Sequence, residues 1–235
     1  HQAAKMRLLA GILEQTGRQL EPHVLTIGFA RRAAQYKRAD LLFSNIKRLI
    51  EVGAGKIQLV FAGKAHPRDD VGKAVLQKLL NSSHKVDEMI PIVFLENYDM
   101  EMGALITQGV ERWLNTPIRP REASGTSGMK CALNGVMNFS VLDGWWIEGW
   151  LEDVTGWSVG PEPSESDLMH YDESLDAIDL YEKLEKKIIP TYYEDREKWI
   201  WMMQRTIALN GSFFNTHRVV KEYCEKAYNI SFRGM

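Results

Sequence analysis

Cysteine is scarce in this chain of 235 residues: there are two, Cys131 and Cys224. They lie far apart and match no metal-ligand spacing, so no metal site is expected and a reducing, cytoplasmic setting is the default. Long apolar runs are lacking as well. None approaches the roughly 18 residues that a membrane-spanning helix requires, and no charged-then-apolar signal segment opens the chain. Charge of one sign is also lacking: 29 lysines and arginines face 31 aspartates and glutamates, a formal net charge of −2. No global field therefore draws the protein to nucleic acid or to an anionic membrane, and any anion site has to be built locally. Internal repeats and low-complexity segments are absent.

What is present is an ordinary globular balance, 45% apolar and 26% charged. The length suffices for one large α/β domain or two small ones. The first residue is His1, not Met, inside "HQAAKMRLLAGILEQ", which reads as mid-helix, so the chain is expected to be a fragment of something longer. In residues 2 to 15, Met6, Leu9, Ile12 and Leu13 recur at helical spacing, with Gly17 as a stop. "HVLTIGFA" (23 to 30) reads as a buried strand. "YKRADLLFSNIKRLIEVG" follows with a helical period ending at Gly53, then strand "KIQLVFAGKA" and helix "DDVGKAVLQKLLNSS". "IPIVFLENYD" is a third strand, "MEMGALITQG" a third helix and "VERWLNTP" a fourth strand. A helix from about Ser127 and a strand in "MNFSVLDGWW" complete the alternation. Residues 164 to 235 read as mostly helical, punctuated by Pro190 and Gly211. Alternation repeated this often predicts an α/β fold, a Rossmann-like parallel sheet with helices on both faces.

In such a sheet ligands bind at the carboxyl ends of the strands. Those ends are "ARRAAQYKR", "GKAHPRDD", "ENYD" and "NTPIRPREASGTSG", so the residues capable of chemistry converge on one edge. After the first strand Arg31, Arg32, Lys37 and Arg38 fall close together. A solvated basic loop is the commoner meaning of such a run. Its place at a strand end, with Arg32 and Lys37 spaced to turn back toward one point, favours an anion site. "ASGTSGMK" joins a strand end, a loop of small residues and a helix start. The N–H groups of Thr126, Ser127 and Gly128 are expected to be unpaired in the first helical turn, a cradle for an anion. Lys130 falls in that turn, where the positive end of the helix disfavours a cation. It is either an exposed lysine that tolerates the cost, one held near a bound phosphate, or one joined to a carbonyl compound as an imine. Tyr98, at a strand end, can cap a bound ring or sit in the core. Glu122 can accept sugar hydroxyls or merely complement a helix dipole. The tryptophans of "GWWIEGW" offer a sugar-stacking face or plain packing, packing being the commoner case.

Taken together, "GFARRAAQYKR", "FAGKAHP", "FLENYD" and "EASGTSGMKCALNG…LDG" resemble, in order and spacing, the α-glucan (glycogen/starch) phosphorylases. "WLNTPIRPREASGTSGMK" and "SVLDGWWIEGW" are similar to the shorter bacterial and archaeal branch. The resemblance covers nearly the whole chain. It implies the C-terminal half of a two-domain GT-B glycosyltransferase fold, with residues 1–235 forming a domain that binds pyridoxal 5′-phosphate. By that resemblance Lys130 carries the cofactor, and its phosphate lies on the N–H groups of Thr126 and Ser127 with Arg31 nearby. Arg32 and Lys37 match the groups that bind the substrate phosphate, and Tyr36 and Tyr98 match flanking tyrosines. Glu122, Ser124 and Gly125 match those that hold the hydroxyls of the transferred glucose. The implied reaction is reversible phosphorolysis of terminal α-1,4-linked glucose by inorganic phosphate, giving glucose 1-phosphate with retention, with proton exchange between the cofactor's phosphate and the substrate phosphate. Two phosphates clamped by basic groups beside an oxocarbenium-like state would be its physical core.

There are departures: Asp99 stands where animal phosphorylases have an arginine, and Ser127 and Cys131 also differ from those enzymes. The family draws a phosphate-covering loop, glucose contacts and much of the acceptor groove from an N-terminal domain absent from this chain. The chain alone is therefore expected to bind cofactor weakly and turn over little. The homodimer common in the family uses contacts largely outside it. Two other readings compete. A nucleotide-sugar glycosyltransferase of the glycogen-synthase kind shares the basic residues but has no use for Lys130. A non-catalytic glucan-binding module has no use for the intact set of Lys130, Arg32 and Lys37.

Overall fold

A computed structural model of the chain describes residues 1–163 and 172–229. Six strands form its sheet: β1 (Leu25–Ala30), β2 (Ile57–Ala62), β3 (Ile92–Leu95), β4 (Arg112–Asn115), β5 (Met137–Val141) and β6 (Gly156–Val159). All pairs are parallel and their order is β3-β2-β1-β4-β5-β6. β1 and β2 are buried throughout, as continuous apolar runs covered on both faces must be. Alternate residues serve the two faces. Leu25, Ile27 and Phe29 of β1 join one core cluster and Ala30 joins the other.

The first face is covered by α2 (Ile46–Gly53), α3 (Asp70–Ser83) and the C-terminal helices α7 (Glu173–Lys183), α8 (Ile189–Glu194) and α9 (Arg196–Arg205). The second is covered by α1 (Gln2–Thr16), α4 (Met100–Gly109) and α5 (Thr126–Leu133). Gly28 lets α4 press on β1, since a Cβ there would stand 2.9 Å from a Val110 methyl. Short α6 (Trp146–Gly149) and α10 (Thr216–Lys226) complete the described helices.

The alternation read from sequence is present, with differences of local origin. The segment 36–53 is not one helix. It opens with 3-10 turns at Gln35–Lys37 and Leu41–Phe43, and α2 starts only at Ile46. Arg38 sits at φ +44°, which no α-helix continues through, and Asn45 caps α2 by accepting the Arg48 N–H at 3.0 Å. On α1 the buried face is Lys5, Leu8, Leu9 and Ile12, while Met6 and Leu13 point outward. Lys5 is tolerated there because its ammonium meets buried Glu111 at 2.8 Å. β6 is an additional strand that its short, tryptophan-containing sequence does not advertise.

Pro190 does not end a helix. It follows a π-helical turn, Leu184–Ile188, where the hydrogen-bond ladder already changes register. Gly211 likewise lies inside a second such turn, Thr206–Gly211. The helical reading of 164–171 and 230–235 lies outside the described residues. Among the described residues no helix is long and apolar enough to cross a membrane.

Candidate functional site

The strand order reverses between β1 and β4, and the loops leaving their carboxyl ends part to open a crevice. A cleft of about 940 Å³ lies there. The loop after β1 lines it with Arg31, Arg32, Tyr36 and Lys37, and the turn after β3 with Tyr98 and Asp99. The long loop after β4 supplies Arg121 through Gly125, and α5 supplies Thr126, Ser127 and Lys130. Of the residues expected to bind cofactor or substrate, only Gly128 lies off the lining; Arg38 of the basic run lies off it too.

At the floor, Glu122 joins the two basic ends. Its carboxylate accepts from the Arg31 guanidinium at 2.7 Å and from the Lys37 ammonium at 3.0 and 2.7 Å. Arg31, Lys37 and Glu122 are 8%, 8% and 7% exposed, so these are buried, charge-assisted bonds. Arg31 also donates to Asn115 of β4, whose amide donates to Ser140 of β5 at 3.0 Å. The Lys37 ammonium stands 4.6 Å above the Tyr36 ring. The structure thus pairs Lys37 with Arg31 rather than with Arg32. Arg32 lines the same cleft but is exposed at its rim. Burial prevails at the Tyr98 hydroxyl and pushes its pKa above the ordinary tyrosine value, and the half-buried ring forms a wall. Asp99 caps α4, accepting the Met102 N–H at 2.9 Å.

Gly125 begins α5 at φ +92°, so its backbone turns Thr126 and Ser127 onto the cleft. Gly128 does not add its amide to a cradle, because that N–H donates to the Gly125 carbonyl at 3.1 Å. Its role is room: a Cβ there would lie 2.5 Å from Asn138 Oδ1 and 2.8 Å from Trp145 Nε1. Lys130 stands in the last turn of α5, not the first, so the helix dipole favours its charge. Its side chain is exposed on the cleft.

Beneath this loop lies a platform formed by "LDG", a segment whose sequence points to no role. Asp143 accepts the Glu122 N–H at 2.8 Å and the Gly144 N–H at 2.9 Å. The Trp145 N–H donates to the Ser124 carbonyl at 2.8 Å. Burial is the main influence on Asp143 and holds its pKa above the ordinary aspartate value, despite the two amides. A carboxylate at the carboxyl end of a strand was the signal available for finding it. Trp145 and Trp146 are 4% and 0% exposed and pack against each other and Phe214, so they are core and not a sugar-stacking face.

The profile of the carbohydrate phosphorylase family matches residues 1–155. The chain is 45% identical over 220 residues to the maltodextrin phosphorylase of Thermococcus litoralis, covering 92% of this chain and 26% of that protein. It is 41% identical over 226 residues to the glycogen phosphorylase of Aquifex aeolicus, covering 93% of this chain and 32% of that one. It is 40% identical over 216 residues to the glycogen phosphorylase of Mycobacterium tuberculosis, covering 88% and 25%. The chain thus spans about a quarter to a third of the length of these relatives. With the family profile matching about two thirds of its residues and a parallel sheet with a cleft at its switch point, the chain belongs to the carbohydrate phosphorylase family.

Proposed function

We propose that this chain is the phosphate- and cofactor-binding domain of an α-glucan phosphorylase, completed by an N-terminal domain that supplies the rest of a GT-B cleft. The reaction is reversible phosphorolysis of the terminal α-1,4-linked glucose of a glucan. The carrying observation is the cleft itself, which Lys130, the small-residue turn at the start of α5 and the Arg31–Glu122–Lys37 cluster line together.

The residues present fit pyridoxal 5′-phosphate. A positive-φ glycine opens the helix, a second glycine keeps Asn138 and Trp145 close beneath it, and a primary amine lines the same cleft. Lys130 would hold the cofactor's aldehyde end and the Thr126 and Ser127 amides, with Arg31, its phosphate. When bound, the cofactor supplies a second phosphate that exchanges a proton with the substrate phosphate.

The chain's own groups do the rest. Arg32 at the rim and Lys37 at the floor receive inorganic phosphate and keep its charge beside the glucose C1. The phosphate gives its proton to the leaving glycosidic oxygen, the C1–O bond breaks, and a phosphate oxygen bonds C1 on the face the glucan left. Glu122, Ser124 and the Gly125 backbone hold the glucose hydroxyls. Tyr36 and Tyr98 keep water from the positive centre that phosphate must reach first.

The test combines labelling with turnover in the full-length protein. After incubation with pyridoxal phosphate and borohydride reduction, mass spectrometry should find Lys130 as the modified residue. Glucan and inorganic phosphate should yield glucose 1-phosphate. Labelling spread over surface lysines, or turnover dependent on a nucleotide sugar instead of phosphate, refutes the reading.

A further inference from the structure

Lys37 and its neighbour Arg38 point in opposite directions. Lys37 reaches the cleft, while Arg38 turns inward to 6% exposure behind it. Its φ of +44° is the turn that sends the two side chains apart. The Arg38 guanidinium donates to the Thr116 carbonyl at 2.8 Å and the Pro117 carbonyl at 3.0 Å, both on the loop after β4. That loop answers: Thr116 Oγ1 donates to the Lys37 and Arg38 carbonyls at 3.1 and 3.0 Å, and the Ile118 N–H to the Tyr36 carbonyl at 2.7 Å. The backbone carrying Tyr36 and Lys37 is therefore stitched to the loop that leads to Glu122.

The charge that holds Arg38 comes from elsewhere. Asp176, on α7 and 0% exposed, forms a close ion pair with it. Glu173, one turn earlier and half exposed, adds a contact at 3.3 Å. Asp176 is fixed in turn by the chain leaving β6. Gly160 sits at φ +78°, and a Cβ there would fall 1.9 Å from Asp176 Oδ1, so no other residue lets α7 approach this closely. The family profile ends at residue 155, before α7 begins.

We propose that Asp176 is a positioning residue for the phosphate site: it fixes Arg38, and Arg38 fixes the backbone from which Lys37 and Tyr36 reach the cleft. The proposal rests on the reading of Lys37 as a phosphate ligand. The α7 ion pair then acts on phosphate and leaves the Lys130 side of the cleft alone, because α5 shares none of these bonds. A carboxamide in place of the carboxylate keeps the volume of Asp176 but leaves the half-exposed Glu173 as the counter-charge of a buried guanidinium, and the Arg38 fork must shift toward it.

The test uses the full-length protein, with Asp176→Asn and, in case that variant does not fold, Arg38→Lys, which keeps the cation and loses the fork. Phosphate affinity is read by calorimetry with inorganic phosphate, alongside KM for phosphate, KM for glucan and Lys130 labelling. Misplacing Lys37 by about 1 Å predicts an increase of about 10- to 100-fold in phosphate Kd and KM, a smaller rise in glucan KM through the Lys37–Glu122 bonds, and Lys130 labelling within about twofold of wild type. Glu185→Gln, which breaks a different ion pair of the same C-terminal segment, to Arg48 of α2, is the control that leaves phosphate KM unchanged. An unchanged phosphate Kd in both variants overturns the proposal while the proposed function stands. So does a parallel loss of phosphate binding, glucan binding and labelling, which marks a merely structural pair. A wild-type protein that binds no phosphate overturns both.

Discussion

Gly144 separates the loop bearing Glu122 from the platform beneath it, and Gly144→Ala probes how tightly that separation is set. A Cβ at residue 144 would lie 2.5 Å from the Ser124 carbonyl oxygen and 2.9 Å from that of Glu122. Restoring a 3.4 Å contact needs a displacement of about 0.9 Å at Ser124, and backbone, unlike a side-chain tip, cannot swing aside. The residue also sits at φ +56°, which costs an alanine about 1–2 kcal/mol. Gly17→Ala separates the two effects. Gly17 has φ +69° with nothing within 4 Å of its Cβ, so it carries the strain without the collision. Both variants should lose stability, about 2–4 °C in Tm for each kcal/mol in a domain of this size. Gly144→Ala should lose more, because Asp143 and Trp145 must yield their bonds to Glu122 and Ser124. The functional contrast is sharper. A shift of nearly 1 Å at the residues proposed to hold the sugar predicts a fall of about 100-fold in kcat/KM for phosphorolysis, against no change for Gly17→Ala. Steady-state kinetics on the full-length protein, with thermal melts, make the comparison. A Gly144→Ala enzyme whose kcat/KM stays within about twofold of wild type would refute the claim that this platform sets the geometry of the sugar site.

Three further outcomes follow from buried charge. Lys5→Met should destabilise by about 3–5 kcal/mol, because it leaves Glu111 buried without its cation, and Lys5→Met with Glu111→Gln should recover most of that loss in a urea double-mutant cycle. Arg112 is fully buried between Trp157 and Trp199, at 3.7 and 4.4 Å, with no hydrogen bond to its guanidinium among the described residues, and burial holds its pKa well below the ordinary value. Cation–π attraction of about 2 kcal/mol offsets only part of the desolvation, so Arg112→Met should be neutral or stabilising by about 1–4 kcal/mol; a urea midpoint showing a loss above about 2 kcal/mol would contradict this. Asp143 has its pKa raised by burial, so the folded state binds its proton more tightly than the unfolded chain does. Stability contributed by this group is present below the unfolded pKa and is lost as pH rises through the folded one. Asp143→Asn should remove that decline from urea midpoints measured between acid and neutral pH, and an identical pH profile in the variant would show that the group does not titrate there.

The layout of the sheet was readable because its strands are covered on both faces. β1 and β2 therefore appear as unbroken apolar runs, and α4 sits on the residues its period indicated. What escaped is what depends on partners distant in sequence. A lysine at residue 5 breaks an apolar helical face unless Glu111, 106 residues later, is known to meet it. Glu122 was legible as a polar residue at a strand end, but its pairing with Arg31 and Lys37 spans 91 and 85 residues and needed the β1–β4 adjacency to be fixed first. Arg38 looked like one more cation in a basic run. Its inward turn depends on a left-handed backbone residue that no glycine marks. The position of Lys130 shifted for a simpler reason: α5 starts at Thr126 and is only two turns long, so a lysine near its beginning is also near its end.

The near-neutral sequence and the cationic cleft are two sides of one design. The whole chain carries a formal charge of −2, yet the cleft is lined by Arg31, Arg32, Lys37, Arg121 and Lys130 against Glu122 and Asp99. Of those two carboxylates, Asp99 is occupied as a helix cap and Glu122 is shared between two buried cations. Arg32, Arg121 and Lys130 are left as exposed charges around the opening. Beyond about 8 Å at physiological salt an exposed charge is screened, so the excess is felt only by an anion already entering the cleft. A protein with the same balance spread evenly would present no such gradient. One with a strong net positive charge would attract every polyanion in the cell. Concentrating the cations at the switch point of the sheet, where two loops diverge anyway, places the excess positive charge at one opening without a basic surface.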